Sequence, residues 1–167
     1  MTYAQILPAL FLGSHPRSAD DIDRLREEAA ITAVLNLQTD EDIRSLNLAW
    51  EMLQAHYGAC HIDLWQVPVR DFDATELCSK LPECVRTLDE LLTVGHSVYL
   101  HCTAGTGRSP TVAVAYLYRC RDWKLDEASA YVTDRRPCSP NLEAILAANW
   151  SHAKEETARP CIFPESS

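Results

Sequence analysis

Apolar residues along the chain follow two alternating spacings. Contiguous apolar or β-branched runs predict buried strands at four places, residues 6–13, 31–37, 61–69 and 96–101. Apolar residues spaced three or four positions apart predict helices at 20–30, 77–92, 111–120, 125–134 and 141–150, and a further amphipathic stretch ends near Tyr57. Strands that alternate with helices are typical of an α/β domain, so we predict a mostly parallel central sheet flanked by helices.

The chain has 167 residues, which is the length of one domain. We predict a single domain over residues 1–150 and a C-terminal tail over 151–167, where prolines and a terminal Ser-Ser replace the apolar periodicity. No stretch approaches the roughly 20 consecutive apolar residues of a membrane-spanning helix. The N-terminal residues lack a signal or transit pattern, and the seven cysteines form no Cys-x-x-Cys pair, so we expect a cytoplasmic protein with free thiols.

Charge is distributed unevenly along the sequence. The chain carries 24 acidic and 15 basic side chains, a formal net charge of −9. This excess argues against nucleic acid or an anionic membrane as the main partner, because those interactions depend on clustered lysine and arginine. Residues 99–138 are the exception, with six basic and four acidic side chains. This locally positive segment also contains the candidate chemistry.

Residues 101–109 connect a predicted strand to a predicted helix with the sequence His-Cys-Thr-Ala-Gly-Thr-Gly-Arg-Ser. The N-terminus of a helix presents unpaired N–H groups and the positive end of its dipole, which together bind anions. Gly105 and Gly107 allow the backbone to curl with positive φ, and an arginine fork can hold two phosphate oxygens. We predict that phosphate is bound by the residues of this loop, which are Thr103, Ala104, Gly105, Thr106, Gly107 and Arg108.

Cys102 begins this loop. The N–H groups and the guanidinium that attract phosphate also stabilise a thiolate, and a thiolate that faces a bound phosphorus atom is a nucleophile for phosphoryl transfer. Most cytosolic cysteines are instead small buried residues, and we expect that role for the other six. Cys102 is therefore the candidate nucleophile, which would form a cysteinyl-phosphate intermediate.

The loop resembles the His-Cys-x5-Arg-Ser/Thr signature of the cysteine-dependent protein tyrosine phosphatase superfamily. The short chain resembles the dual-specificity branch, and the similarity extends to residues 6–13, 31–37 and 135–137. The resemblance implies an α/β phosphatase fold with the phosphate loop between a strand and a helix. It also implies that Ser109 assists departure of the thiolate and that His101 fixes the shape of the loop.

Cleavage of a phosphate ester also needs a general acid that protonates the leaving oxygen. The family places an aspartate in a loop that precedes the nucleophile, and here both Asp71 and Asp73 are candidates. Asp71 lies 31 residues before Cys102 and matches the family position, so we favour it and keep Asp73 as the alternative. We expect no metal ion and no other cofactor, because Arg108 and the loop N–H groups can neutralise the transferred group.

Four segments resemble the plant-type glucan phosphatases more closely, namely 70–74, 102–108, 124–128 and 136–145. This resemblance implies removal of phosphate from a starch-like or glycogen-like glucan. Aromatic rings stack on sugar faces in such sites, and the candidate rings here are Trp65 and Phe72. The chain departs from these relatives at Thr75 and Ser139, where they carry phenylalanine, and at Thr106, where they carry an aliphatic residue.

The sequence leaves the substrate open between two classes. A chain of this length has little material for deep pocket walls, so a shallow cleft would admit several phosphomonoesters. The alternative to a glucan phosphatase is a dual-specificity protein phosphatase that acts on phosphotyrosine, phosphoserine and phosphothreonine. A catalytically inactive phosphate-binding module is disfavoured, because Cys102, Arg108 and an aspartate are all available. We expect a monomer whose partner is a phosphorylated glucan or a phosphoprotein.

Overall fold

The computed structural model describes residues 1–152 of the chain. Within them, an initial pair of strands is followed by alternating helices and strands. The strands are β1 (Tyr3–Leu7), β2 (Leu10–Gly13), β3 (Ala33–Asn36), β4 (Asp63–Gln66) and β5 (Val98–His101). The helices are α1 (Ala19–Ala29), α2 (Asp40–Ser45), α3 (Trp50–Ala59), α4 (Ala74–Thr93), α5 (Arg108–Cys120), α6 (Leu125–Arg135) and α7 (Leu142–Ala147).

The five strands form one sheet in the order β1-β2-β5-β3-β4. Strands β1 and β2 pair antiparallel, whereas the other three pairings are parallel and need the crossover connections that the helices supply. Strand β5 lies in the middle, and its last residue, His101, is in register with Gly13 of β2 and Asn36 of β3. The loop that follows β5 therefore leaves the sheet at the centre of its carboxyl edge.

Helices cover both faces of this mixed, mostly parallel sheet. One apolar cluster joins the sheet to α4, α5, α6 and α7, and a second joins it to α1 and α3. Strands that are buried on both faces carry apolar runs rather than an apolar-polar alternation. All residues of β2, β3 and β5 are buried accordingly, so the central loop begins at a strand that is buried on both faces of the sheet.

The structure corrects three predicted boundaries. The apolar run at 6–13 is two strands rather than one, because residues 8–9 form a turn between β1 and β2. The amphipathic stretch that follows β3 is two helices, α2 and α3, and Asn47 adopts a positive φ of 49° between them. The predicted helix at 141–150 ends at Ala147 and is followed by a short 3-10 helix, Trp150–His152.

The predicted tail at 151–167 lies almost entirely outside the described residues. Its first two residues belong to the 3-10 helix that begins at Trp150. Within residues 1–152, no helix combines the length and the apolar character that crossing a membrane requires. The six cysteines in this part of the chain carry free thiols, as expected. The expected buried position holds for Cys60 and Cys84, whereas Cys78 and Cys138 are half-buried and Cys120, the last residue of α5, is exposed, so the expectation is wrong for Cys120.

Candidate active site

The loop between β5 and α5 comprises residues 102–107 and meets the first turn of α5. No side chain caps this helix, so its first N–H groups remain for an anion. The loop is also supported from the segment that follows α6, because the N–H group of Ser139 donates to the carbonyl oxygen of Thr106 at 2.8 Å. The predicted anion site is therefore present as a helix N-terminus with an anchored backbone in front of it.

The two glycines of the loop differ in conformation. Gly105 has a φ of 71°, which residues with a side chain rarely adopt, and a Cβ atom there would collide with the carbonyl group of Gly13. Gly107 has a φ of −121°, and a Cβ atom there would meet no other atom within 4 Å. The expectation of a positive φ at both glycines is therefore wrong for Gly107.

A buried arginine, Arg136, holds the outer side of the loop. Its Nε donates to the carbonyl oxygen of Gly105 at 2.8 Å, and its Nη2 donates to that of Ala104 at 3.0 Å. The C=O and N–H groups of a trans peptide unit point in opposite directions. Because the two carbonyl oxygens point towards Arg136, the N–H groups of the same peptide units point away from it. Sequence analysis gave Arg136 no role at the site, since 31 residues separate it from Gly105.

Cys102 is buried directly after the central strand, with 3% of its surface exposed. The hydroxyl group of Ser109 donates to its Sγ atom at 3.2 Å. Burial lowers the pKa of His101 to about 3, so its imidazole is neutral, and its Nδ1 lies 3.1 Å from the carbonyl oxygen of Cys102. The structure thus brings together the candidate nucleophile, a hydroxyl donor and a neutral histidine.

The guanidinium group of Arg108 is only 3% exposed and is held from several sides. Its Nη1 donates to the Asp42 carboxylate at 2.8 Å and to the Val69 carbonyl oxygen at 2.7 Å. Its Nη2 donates to Thr103 Oγ1 at 3.1 Å and lies 3.1 Å from Oδ2 of Asp71. The buried Nε has no hydrogen-bond partner among the described residues. An unsatisfied buried cationic donor is costly, and a bound anion would satisfy it.

Asp42 is a site residue that sequence analysis missed. It belongs to the first turn of α2, where it accepts a hydrogen bond from the N–H group of Thr39 at 2.9 Å and completes a capping box. Burial alone would raise the pKa of Asp42, but the hydrogen bonds from Arg108 and Thr39 hold it below its usual value. Asp42 is therefore an ionised partner of Arg108. The only sequence signal was Thr39-x-x-Asp42, which predicts a helix start but not a contact with Arg108.

The two candidate acids occupy different positions. Oδ2 of Asp71 faces Arg108, and its Oδ1 accepts a hydrogen bond from the N–H group of Phe72 at 3.2 Å. Asp73 caps α4, because its Oδ1 accepts from the N–H group of Glu76 at 2.8 Å. The structure therefore brings Asp71 to the loop and leaves Asp73 at the start of a helix.

A pocket of about 460 Å³ lies between the phosphate loop and residues 70–74. Phe72 lines it with a fully exposed ring, and its backbone adopts a positive φ of 58°, which is unfavourable for a phenylalanine. Trp65 does not line this pocket, since it lies in β4 and packs against the apolar core. Of the two predicted rings, the structure brings only Phe72 to the site.

The α/β fold, with a buried cysteine and arginine at a central helix N-terminus, defines the class of cysteine-dependent phosphatases. Residues 10–147 match the family described as the dual specificity phosphatase, catalytic domain, and the chain belongs to this family. The dual-specificity branch, which the short chain and its similar segments predict, is therefore confirmed.

Known proteins of two kinds are similar to this chain. A chloroplastic phosphoglucan phosphatase of Arabidopsis thaliana is 32% identical over 150 residues, which cover 90% of this chain and 25% of that protein. The human dual specificity protein phosphatase 1 is 34% identical over 141 residues, which cover 83% of this chain and 34% of that protein. The chain thus spans about a quarter to a third of the length of these relatives.

The fold itself matches solved phosphatase structures. The crystal structure of PTPMT1 superimposes with a TM-score of 0.71 over 87% of this chain and 90% of that one, at 21% identity. At this identity the likeness concerns the fold alone. It agrees with the α/β phosphatase architecture that the sequence motif implies.

Proposed function

We propose that this protein removes phosphate from a phosphorylated glucan through a cysteinyl-phosphate intermediate. The observation that carries the choice of a polymeric substrate is a groove that adjoins the phosphate pocket. This groove has a volume of about 770 Å³, lies between α4 and α7, and shares Ala74 and Asn141 with the pocket. A phosphorylated unit in the pocket would leave the groove to neighbouring units of the same chain.

The lining of the groove suits a neutral chain rich in hydroxyl groups. Its four charged side chains balance, two basic and two acidic, and they are Lys80, Glu83, Arg86 and Glu143. Its remaining side chains are small or carry hydroxyl, amide or thiol groups, among them Thr75, Ser79 and Asn149. Hydroxyl, amide and charged groups hydrogen-bond to sugar hydroxyls, whereas a surface with no net charge gives little attraction to a polyanion.

Phe72 supplies the aromatic surface of the proposed site. An exposed ring on a backbone with positive φ costs free energy twice, through apolar hydration and through strain. Such features persist where function uses them, and a ring beside a phosphate pocket can stack on the face of a sugar. We infer that Phe72 orients the phosphorylated glucose unit.

The first chemical step transfers the phosphoryl group to Cys102. The Sγ thiolate attacks phosphorus, an S–P bond forms, and the P–O bond to the glucan breaks. Asp71 gives its proton to the leaving oxygen, so the glucan departs as an alcohol. Arg108 and the loop N–H groups bind the three non-bridging oxygens, on which the charge is spread.

The second step hydrolyses the intermediate. Asp71, now a carboxylate, removes a proton from water while the water oxygen attacks phosphorus. The S–P bond breaks, inorganic phosphate leaves, and Cys102 departs as a thiolate. Ser109 stabilises that thiolate with the hydrogen bond that it already donates to Sγ at 3.2 Å.

Asp71 and the substrate compete for the same donor. Nη2 of Arg108 faces Asp71 at 3.1 Å, and the adjacent Nε has no partner among the described residues. A phosphate that binds the Nε and Nη2 edge of the fork replaces the carboxylate at Nη2. The displaced carboxyl group then faces the phosphate oxygens. Substrate binding would in this way release Asp71 from Arg108 for its part in the first step.

A comparison of three substrates tests the proposed function. Release of phosphate is measured from solubilised phosphoglucan, from a phosphopeptide and from para-nitrophenyl phosphate, with Cys102→Ser as the inactive control. We expect kcat/KM on phosphoglucan to exceed that on the phosphopeptide. Turnover of the aryl phosphate with none of the phosphoglucan would contradict the glucan assignment but leave the phosphatase chemistry intact.

A variant that fills the groove tests the polymer site separately. Ala147→Trp places a large side chain in the groove, whereas Leu146→Trp enlarges the next residue, which is also exposed but does not line the groove. We expect Ala147→Trp to raise KM for phosphoglucan and to leave kcat/KM for the aryl phosphate unchanged. Equal effects of the two substitutions would contradict the groove as a binding site.

A dual-specificity protein phosphatase is the second candidate function. It is favoured by Ser139, which lines the pocket where the resemblance to glucan phosphatases expects an aromatic ring. A phosphopeptide needs the pocket but not the groove. Activity on the phosphopeptide that exceeds activity on phosphoglucan, and that Ala147→Trp does not change, would support this alternative.

A further inference from the structure

We propose that Asp23, His56 and Cys60 form a binding site for a zinc ion where α1 meets α3. These residues lie beside the apolar cluster that contains Cys60, whereas Cys102 belongs to the cluster on the other face of the sheet. The site is therefore separate from the phosphate loop, and neither the proposed reaction nor its substrate depends on it.

The three ligand atoms are spaced as the corners of a metal site. Nε2 of His56 lies 3.0 Å from Oδ1 of Asp23, and Sγ of Cys60 lies 3.5 Å from the same oxygen. All three atoms lie within 4.8 Å of one another. With zinc bonds of about 2.0 Å to nitrogen and oxygen and about 2.3 Å to sulfur, tetrahedral geometry separates neighbouring ligands by about 3.3 to 3.6 Å. Small side-chain movements would bring the three atoms to those distances.

The fold holds these residues in place from two helices. His56 and Cys60 are four residues apart at the end of α3, a spacing that puts both on one side of the helix. Asp23 faces them from α1. The thiol is buried, while the side chains of Asp23 and His56 are about one-third exposed, so an ion and a water ligand have access from solvent. One nitrogen, one sulfur and one oxygen ligand favour zinc over magnesium or calcium.

The guanidinium group of Arg26 already contacts two of the three proposed ligands. Nη1 of Arg26 donates to Sγ of Cys60 at 3.5 Å, and its Nη2 lies 3.7 Å from Oδ1 of Asp23. Arg26 also pairs with Glu27 at 3.2 Å, and its side chain is 44% exposed, so it can retain Glu27 when an ion takes its place. On binding, the thiol of Cys60 loses its proton to solvent and coordinates as a thiolate.

Cobalt(II) is the probe, because a cobalt–thiolate bond gives a near-ultraviolet absorption band and a zinc–thiolate bond does not. The full chain carrying Cys102→Ser is titrated with Co²⁺, so that the candidate nucleophile cannot bind the metal. We expect a near-ultraviolet sulfur-to-cobalt band that zinc abolishes by displacement. The band should disappear when either Cys60→Ser or His56→Ala is added, and it should persist with Cys120→Ser, which removes an exposed thiol elsewhere.

Removal of the Arg26 guanidinium group, which competes with the metal ion for Asp23 and Cys60, gives a second test. Arg26→Ala should tighten Co²⁺ binding by about five-fold, the order expected for the loss of one partly exposed ion pair. His56 is partly exposed, so His56→Ala keeps the test valid if the buried Cys60→Ser variant does not fold. A band that is absent from the parent protein, or that survives His56→Ala, would overturn the proposal. Unchanged or weaker binding by Arg26→Ala would overturn the placement of the ion between these atoms.

Discussion

The phosphate loop and the acid loop, residues 70–73, face the same pocket but are built differently. In the phosphate loop, Cys102, Ser109 and Arg108 are buried, and Arg136 fixes the backbone from outside. In the acid loop, Asp71 and Asp73 are about one-third exposed, Arg70 is two-thirds exposed and Phe72 is fully exposed. The phosphate loop is therefore positioned by buried contacts, whereas the acid loop is held by partly exposed ion pairs and hydrogen bonds.

This difference sets the size of the effects that substitutions should have. Buried polar networks are costly to break, because each lost partner leaves a desolvated group unpaired. Exposed ion pairs contribute only about 0 to 1 kcal/mol. Changes in the phosphate loop should therefore be severe whatever the substrate. Changes in the acid loop, Asp71 excepted, should depend on the substrate used.

The largest effect is expected from Arg108→Lys. Lysine keeps the charge but loses the planar fork, which donates to Asp42 and Val69 from one nitrogen and faces Asp71 from the other. We expect kcat on para-nitrophenyl phosphate to fall by about 10³- to 10⁵-fold, the range for an arginine that stabilises a transferring phosphoryl group. Steady-state kinetics measure this loss.

The same substitution in the acid loop is the matched control. Arg70 is two-thirds exposed, and its ion pairs are with Asp73 and Glu76 on the protein surface. Arg70→Lys should change kcat by less than about three-fold, because exposed ion pairs are weak. Comparable losses of kcat in Arg108→Lys and Arg70→Lys would contradict the distinction between a buried and an exposed half of the site.

The second effect separates the two aspartates of the acid loop. Asp71→Asn should lower kcat on phosphoglucan by about 10²- to 10⁴-fold, because the leaving sugar oxygen loses its proton donor. The loss on para-nitrophenyl phosphate should be smaller, since its leaving group departs more readily without a proton. Asp73→Ala should instead remove the cap of α4 and lower the free energy of unfolding by about 1 kcal/mol. Denaturant titration and kinetics together distinguish these results.

A larger kinetic loss in Asp73→Ala than in Asp71→Asn would make Asp73 the general acid. It would also mean that the acid loop rearranges when substrate binds, since Asp73 now bonds to the N–H group of Glu76. Asp73→Asn is the accompanying control, because asparagine caps a helix about as well as aspartate but cannot donate a proton as an acid.

A third effect, on stability, follows from His101 beneath the phosphate loop. Its pKa is about 3 in the folded protein because of burial, against about 6.5 in an unfolded chain. The unfolded state therefore takes up the proton first, and stability is full above pH 6.5 and falls as the pH drops towards 3. From pH 7 to pH 5 the loss from this residue should be about 2 kcal/mol.

Chemical denaturation at both pH values measures this loss. The variant His101→Asn lacks the titrating ring, so its stability should decline less over the same interval. An identical decline in the two proteins would mean that other groups cause it. No corresponding effect is expected from the acid loop, which contains no histidine.

The sequence predicted the position of the phosphate loop better than the contacts that support this loop. The spacing of apolar residues located β5, α5 and the loop between them, because local periodicity and helix-start chemistry determine these elements. The supporting contacts could not be predicted, since Asp42 and Arg136 lie 66 and 31 residues away from the groups they bind. Nothing in a single sequence indicates that a given aspartate or arginine will meet a particular loop.

Local rules also failed where tertiary contacts decide conformation. Glycine permits positive φ without requiring it, and of the two glycines in the phosphate loop only Gly105, which lies against Gly13, adopts it. Trp65 and Phe72 were equivalent as candidate rings by composition, yet one packs on the core and the other faces solvent. The pairing of strands and the course of the acid loop, rather than residue type, separate the two.

The smallest effect concerns the strained ring of the acid loop. Phe72→Gly removes a side chain from a backbone with a φ of 58°, where a Cβ atom costs about 1 to 2 kcal/mol. Glycine also gains freedom in the unfolded chain, which offsets about 0.5 to 1 kcal/mol of that gain. The free energy of unfolding should therefore rise by about 1 kcal/mol or less. We expect KM for phosphoglucan to increase, because the variant lacks the ring that we propose stacks on the sugar.

Phe72→Ala isolates the ring from the strain, since alanine keeps the Cβ atom and its unfavourable φ. We expect the alanine variant to show the same rise in KM for phosphoglucan as the glycine variant, but no gain in stability. Kinetics on phosphoglucan test the expected rise in KM of both variants, and denaturant titration tests the expected difference in their stability. If both variants kept the wild-type KM, the ring would have no part in binding, and its exposure would have to be explained by a contact other than the glucan. A gain in stability without loss of glucan affinity would therefore remove Phe72 from the proposed site, while the buried half of the site would stand unchanged.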